Sequence, residues 1–405
     1  MTSIFPSRDF ILGQWRFLLF GFLLAFFSGP GQTFYISLFS GAIREDLALS
    51  HGEFGTLYAF GTLASAATLI PLGRLVDTIR LRVIALSIIS CLAFAAMFFS
   101  QVNSIVMLAL GIYFLRLSGQ GMMTHLYATA MTRRYVAERG RALAFATLGH
   151  PVSEFLMPVF AVTLLLLFDW RQVWQITAVI VLIIMIPAAL ALTQRREGQD
   201  GGGVDAMAAG RDGQHWTRKE MLLHWRFWML TGIVIAPSFT STGLFFHQLY
   251  IAEQKMISLD LWVSGYAFYA SMSILGAFLG GGLADRFTSA RTTPFAVMSL
   301  TLVPFALYFA GPGVMIYIYF IVFGLIQGIV HTVATPIWAE IYGTRHLGGI
   351  KAIAAALMVF ASAMSPVTLG LMIDSGYPFG ALLLVLASVP FVAGVSGFIA
   401  VNSRT

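Results

Sequence analysis

Twelve long apolar runs, nearly free of charge, decide what this chain can fold into. They cover residues 17–39, 53–72, 83–100, 105–131, 142–167, 172–193, 227–251, 261–284, 293–310, 314–338, 352–373 and 379–401. Most are about as long as the roughly 20 residues an α-helix needs to cross a bilayer core. They run continuously apolar instead of alternating, which excludes a β-barrel. Only 10% of the 405 residues are charged and 58% are hydrophobic, whereas an ordinary soluble domain carries about a quarter charged residues. A soluble enzyme, a nucleic-acid binder and a disordered chain are excluded on that ground. The single Cys91 excludes an internal disulfide and a cysteine-based metal cluster. The first run is too long for a cleavable signal peptide and lacks a small-residue cleavage site, so it is expected to remain as a span.

Basic residues report orientation. Of the 24 Lys and Arg, twenty fall in the alternate connections 1–16, 73–82, 132–141, 194–226, 285–292, 339–351 and 402–405. Three fall in the other set of connections, and Arg116 lies inside a span. Both termini are therefore expected in the cytoplasm of a cell bounded by this inner or plasma membrane. The net charge of +6 is a topology signal and no footprint of nucleic acid.

The longest hydrophilic stretch runs from Gln194 to His224 and contains Gly201-Gly202-Gly203. It reads as a cytoplasmic linker, 194–224, between six-helix bundles at 1–193 and 225–405. The two halves repeat. Trp15-Arg16-Phe17 recurs as Trp225-Arg226-Phe227, Gly73-x-Leu75-x-Asp77 as Gly281-x-Leu283-x-Asp285, Gln120-Gly121 as Gln327-Gly328, and Pro158 as Pro366, at offsets of 207–210. An even number of spans per half makes the copies parallel, related by an axis along the membrane normal, an arrangement that transporters use. The expected fold is an all-α membrane protein with 12 transmembrane helices in two pseudo-symmetric bundles.

These motifs resemble those of the major facilitator superfamily over essentially the whole chain. Gly73-Arg74-Leu75-Val76-Asp77 through Arg80 and Arg82 is similar to the family's loop between spans 2 and 3, with Thr78 where a basic residue is usual. Gly281-Gly282-Leu283-Ala284-Asp285-Arg286 is its second copy. Arg116 with Gly119 and Gly121 resembles the span 4 motif with a shifted glycine spacing, and Glu138-Arg139-Gly140-Arg141 resembles the loop before span 5. The resemblance implies a cytoplasmic gate made by Gly73, Asp77, Arg82, Arg139, Gly281, Asp285 and Arg286. The carboxylates would meet helix N-termini or arginines, and the glycines would let helices approach. The other reading of these residues is positive-inside decoration around a tight turn. Within the superfamily, Glu340-Ile341-Tyr342-Gly343, Gly348, Pro366, Gly370, Asp374-Ser375-Gly376 and Gln32 to Phe39 resemble the monocarboxylate and oxalate–formate porter branch. The charged span 8 residues typical of that branch are missing.

Charge deep in a bilayer is costly and marks function. Arg116 lies about 16 Å into span 4 from one side and Glu154 about 18 Å into span 5 from the other, at 1.5 Å per residue. The two therefore share a depth and can form an ion pair, either a substrate and coupling site or a static tie between helices. Helical spacing puts Gln120, Met123 and Tyr127 on the face of Arg116. Ser28, Gln32 and Tyr35 share a face of span 1, which Gly29-Pro30-Gly31 should kink. His247 follows Pro237 and Thr240 on span 7, and Gln327 and His331 share a face of span 10. His150 sits one turn from Glu154 and can influence its protonation. The second half repeats neither charge, having Phe323 and Ser362 at the matching positions.

Arg116, Gln120, Tyr127, Gln32, Tyr35, His247, Gln327 and His331 are thus the expected substrate-binding residues, with Glu154 and His150 coupling protons. No metal spacing and no nucleotide loop is visible, so neither cofactor nor enzyme activity is expected. The expected activity is alternating-access transport of a small organic anion with a proton, in a lipid bilayer and as a monomer. The rival is proton-coupled efflux of lipophilic or cationic compounds. A receptor without transport has no support in the sequence.

Overall fold

Helix is the only regular structure among the described residues of the computed structural model, which are 8–135, 139–193, 210 and 212–403. Side chains are described for these residues except 8–11, Asp77 and Arg139. Twelve helices are long and apolar enough to cross a membrane: Leu12–Gly31, His51–Leu72, Leu81–Phe99, Ile105–Arg134, Gly140–Leu165, Trp170–Leu192, Trp225–Phe246, Leu259–Phe287, Ser289–Phe309, Val314–Tyr342, Leu347–Asp374 and Phe379–Asn402. They are numbered spans 1 to 12 in chain order. In lipid every backbone polar group must be satisfied within the protein, which helices achieve within one segment.

The expected kink in span 1 is a break. Regular helix ends at Phe27, a 3-10 turn occupies Gly29–Gly31, and short helices form over Thr33–Ile36 and Ser40–Asp46. Pro30 has no N–H to donate, and the turn closes on itself through Gly31 N to Ser28 O (3.0 Å) and Gln32 N to Gly29 O (2.8 Å). Span 6 starts sharply because Asp169 and Gln172 form a reciprocal capping box at its N-terminus.

By packing, the chain divides into Met1–Leu49 with Phe60–Val204, and Ser50–Ala59 with Asp205–Thr405. This division differs from the expected boundaries in two places. The first residues of span 2 pack with the second unit, where the Asp374 carboxylate accepts hydrogen bonds from His51 N (3.0 Å) and Gly52 N (2.7 Å). Phe54 and Tyr58 add ring contacts to Phe246 at 5.3 and 4.8 Å. The end of the expected linker also belongs to the second unit. Trp216 N donates to Tyr342 O at 3.1 Å, its ring packs on Tyr342, and Thr217 with Glu220 caps a short helix, Arg218–Leu223. Residues 194–209, including the three consecutive glycines, and Arg211 lie outside the described residues.

The core of the first unit is aromatic. Trp174 meets Tyr35 at 5.2 Å, Phe39 at 5.1 Å and Phe99 at 4.7 Å. Near the start of span 6 the Asp46 carboxylate accepts hydrogen bonds from Arg171 Nη1 and Trp170 Nε1. The second unit packs spans 8 and 10 backbone to backbone. A Cβ on Gly276 would lie 2.2 Å from Leu325 O, one on Gly324 2.2 Å from Tyr269 O, and one on Gly328 2.1 Å from Ser273 O. Small residues make this approach possible in lipid, where close packing takes the place of a hydrophobic drive between helices.

These contacts set two expectations for stability. Gly328→Ala should lower the thermal midpoint in detergent by the equivalent of about 1–3 kcal/mol, as overpacking does. Gly282→Ala should leave it unchanged or raise it, since a Cβ there meets nothing within 4 Å; equal effects would contradict the packing. The bonds from Arg171 and Trp170 hold the Asp46 carboxyl below its usual range. This tie should therefore stabilise the protein above the ordinary carboxylate range and be lost as pH falls through the lowered value. Midpoints measured against pH should show that acid-dependent fall in the wild type, and a smaller one in Asp46→Asn.

Candidate functional site

Span 4 is helical throughout but changes its winding at Arg116. It is α-helical over Ile105–Leu115, a π-helix over Arg116–Met123, and α-helical again over Thr124–Arg134. A π-helix bonds residue i to i+5 and so takes one more residue into each turn. The broken turn of span 1 lies directly against this segment. A Cβ on Gly31 would be 2.3 Å from Leu115 O and 2.8 Å from Gly119 Cα, and one on Gly119 would be 3.0 Å from Ser28 O. Only glycine allows the two backbones to touch there. Arg116 is 1% exposed, and its Nη1 donates to Gly31 O at 3.2 Å.

A π-helix turns less per residue than an α-helix, so α-helical spacing no longer sets the face shared by Arg116, Gln120, Met123 and Tyr127. Arg116 and Met123 are buried, Gln120 is half-buried, and Tyr127 turns to span 5. Its hydroxyl lies 3.1 Å from His150 Nε2. His150 Nδ1 in turn lies 3.5 Å from Ser28 Oγ, which also accepts from Gln32 Nε2 at 3.4 Å. Ser28 Oγ itself donates to Ala25 O at 2.7 Å. Three polar side chains from spans 1 and 4 are thereby joined around one imidazole of span 5. Of the expected stripe on span 1, Ser28 and Gln32 belong to this group and Tyr35 does not. Past the break Tyr35 is fully buried and shares a hydrogen bond of 2.7 Å with Thr177 on span 6.

Glu154 lies one turn beyond His150 and is half-buried. The expected ion pair with Arg116 is not formed: among the described residues Glu154 makes neither hydrogen bond nor ion pair. A shared depth is insufficient for pairing when the guanidinium is drawn to the Gly31 carbonyl.

In the second unit, the matching positions are uncharged and satisfied. Phe323 sits in a ring cluster with Tyr269 at 4.9 Å and Phe245 at 5.3 Å. Ser362 bonds Thr242 at 3.1 Å. Gln327 Oε1 accepts from Ser241 at 3.0 Å. His247 is buried with Nε2 donating to Pro366 O at 3.3 Å, apart from Gln327 in its bonding. His331 is exposed.

The expected gate residues divide in the same way. Gly73 packs against span 4, where His125 Nε2 donates to its carbonyl at 3.1 Å. Nearby, Arg133 Nη1 donates to Val76 O at 3.3 Å. Arg82 is exposed on the first turn of span 3, while the side chains of Asp77 and Arg139 are not among those described. Gly281 does not bring helices together: a Cβ on it meets nothing within 4 Å among the described residues, and the close approach falls to Gly276 and Gly280. Asp285 and Arg286 are exposed, and the Arg286 guanidinium lies 5.1 Å from the Phe287 ring. The carboxylate that caps a helix in this region is Glu340, which accepts from Ser289 N (2.9 Å) and Ala290 N (2.8 Å) at the start of span 9. Sequence reasoning singled out neither this role of Glu340 nor that of Asp374, because both partners are remote in the chain.

Comparison with known proteins places this arrangement in a family. The model of the Major Facilitator Superfamily matches residues 21–366. None of the curated proteins matches by sequence. Among solved structures, a bacterial homolog of the human lysosomal transporter Spinster, in an inward-facing and occupied conformation, is similar with a TM-score of 0.65 and 16% identity, over 98% of this chain and 95% of that one. The nucleoside transporter NupG, solved as a point mutant, has a TM-score of 0.72 and 11% identity, over 96% of this chain and 100% of its own. At these identities the likeness is one of fold.

The contact between spans 1 and 4 makes a direct prediction. Arg116→Met removes a charged donor from the buried Gly31 carbonyl and should cost about 1.5–3 kcal/mol. Thermal unfolding of the purified protein reads this, and a variant as stable as the wild type would show that the bond does not hold the turn.

Proposed function

The chain belongs to the Major Facilitator Superfamily, and on that premise we propose that this secondary transporter moves a small organic anion, a carboxylate, together with a proton by alternating access. The observation that carries the reading is the Arg116 guanidinium, buried in the membrane beside a broken helix, with Glu154 and His150 on the neighbouring span. A charge held at such depth is expensive and is kept for a task.

Charge balance supplies the coupling. Empty, Arg116 and Glu154 sum to zero. An anion bound to Arg116 leaves one negative charge to be buried, which is unfavourable in low dielectric. A proton taken up by the Glu154 and His150 pair restores neutrality, so anion and proton favour each other and the loaded state can reorient. The anion also competes with the Gly31 carbonyl for the guanidinium. Substrate binding is thus linked to a movement of the Gly29–Gly31 turn, since Arg116 is closed off in the described conformation. Gln32 and Gln120 in the first unit, and Gln327 and His331 in the second, are proposed as further substrate contacts. Tyr35 and His247 are engaged within their own units and hold structure. The excess of Lys and Arg in alternate connections supports cytoplasmic termini.

The test is proton movement in proteoliposomes on addition of mono- and dicarboxylates, with nucleosides and lipophilic cations in the same panel. One acid should make the outside alkaline, and Glu154→Gln and Arg116→Gln should each reduce that response at least tenfold. Transport of nucleosides or of cations, with no response to any anion, would overturn the reading.

A further inference from the structure

The hydrogen bonds around His150 assign its tautomer. Ser28 Oγ has one hydrogen, and it is given to Ala25 O at 2.7 Å. The hydroxyl can therefore only accept from His150, so Nδ1 carries the hydrogen of the neutral ring and Nε2 is bare. Nε2 then accepts from the Tyr127 hydroxyl at 3.1 Å. This leaves Nε2 as the atom at which a proton adds.

The surroundings accommodate that proton without leaving any group unsatisfied. Once Nε2 is protonated it must donate, and the Tyr127 oxygen becomes its acceptor. The Tyr127 hydrogen needs a new partner, and the neighbouring Thr147 hydroxyl on span 5 can become one when the Tyr127 hydroxyl rotates. Thr147 Oγ1 gives its own hydrogen to Leu143 O at 2.7 Å, so it is free to accept. The relay involves no covalent change: one proton arrives at Nε2, one hydroxyl rotates, and the Nδ1 bond to Ser28 is retained. Glu154 makes no hydrogen bond among the described residues, so nothing comparable surrounds its carboxyl in either protonation state.

We infer that the co-transported proton rests on Nε2 of His150, with Tyr127 and Thr147 as positioning residues that hold both its neutral and its charged form. This rests on the proposed proton coupling and changes two sequence-level roles. Tyr127 serves the proton in place of the substrate, and Glu154 serves as the fixed counter-charge one turn away. The groups around the ring agree with this. Span 1 presents Ser28 and Gln32, both uncharged, and span 4 presents Tyr127, with Arg116 across the turn at Gly31. Its own span carries Glu154 and, nearer the start, Arg141. Arg171, the charged residue at the start of span 6, is bound to Asp46. With an anion on Arg116, the charges of Glu154 and protonated His150 cancel as required.

Nitrogen NMR of histidine-labelled protein in lipid, with His150→Gln to assign the signal, tests the inference without any substrate. The neutral ring should show the Nδ1–H tautomer. Thr147→Val removes a bond made only in the charged state, and Tyr127→Phe removes the stronger bond of that state. The titration midpoint should fall by up to about half a unit in the first and by about half to one unit in the second. The pH profile of transport should shift by the same amounts, which a merely structural role would not produce. His150→Gln should lose proton movement and anion uptake together, since an anion on Arg116 then leaves the Glu154 charge unbalanced. An Nε2–H tautomer, or midpoints unmoved in both variants, would overturn the inference. Wild-type protein that titrates as described but carries no anion would sink the proposed function and leave the proton site standing.

Discussion

The contact on which the first unit depends is that between two backbones, the turn at Gly29–Gly31 and the π-helical stretch of span 4. Pro30 breaks the helix of span 1, and the break leaves carbonyls that need partners inside a membrane. One of them, Gly31 O, is met by Arg116. The absence of a Cβ at Gly31 and Gly119 is what brings donor and acceptor within reach. Break, winding change and buried charge are therefore one structure: none is stable in lipid without the other two.

The second unit solves the same packing problem without charge. Spans 8 and 10 touch along Gly276, Gly324 and Gly328, and rings of Phe323, Tyr269 and Phe245 fill the place where the first unit holds Arg116. The two halves thus differ: one holds ionisable groups beside a broken helix, and the other packs apolar rings at the matching place. This division suits the proposed coupling, which places the ionisable groups in one repeat.

Helix ends in the second unit are finished by residues far away in the chain. Asp374 caps span 2 and Glu340 caps span 9. Each satisfies two backbone N–H groups that the helix itself leaves open. Carboxylates at helix N-termini are favoured by the helix dipole as well. The motif around Asp285 leaves that carboxylate exposed, whereas the capping role of Glu340 depends on partners about fifty residues away.

What the sequence by itself determined is what a bilayer demands of any chain. Length and continuous apolarity specify twelve spans, Pro30 between two glycines specifies a break, and deep charge singles out Arg116 and Glu154. The repeat and its family resemblance come from the order of short motifs. The spans, the break and the family follow in this way because each rests on residues close together in the chain. Tertiary structure decided the rest. One extra residue in a turn of span 4 rotated Tyr127 toward His150 and drew Arg116 to a carbonyl instead of Glu154. The tautomer of His150 depends on which atom the Ser28 hydroxyl already serves. Such choices are made by partners 23, 85 and 122 residues apart, and helical periodicity carries no information about them once the helix changes its winding.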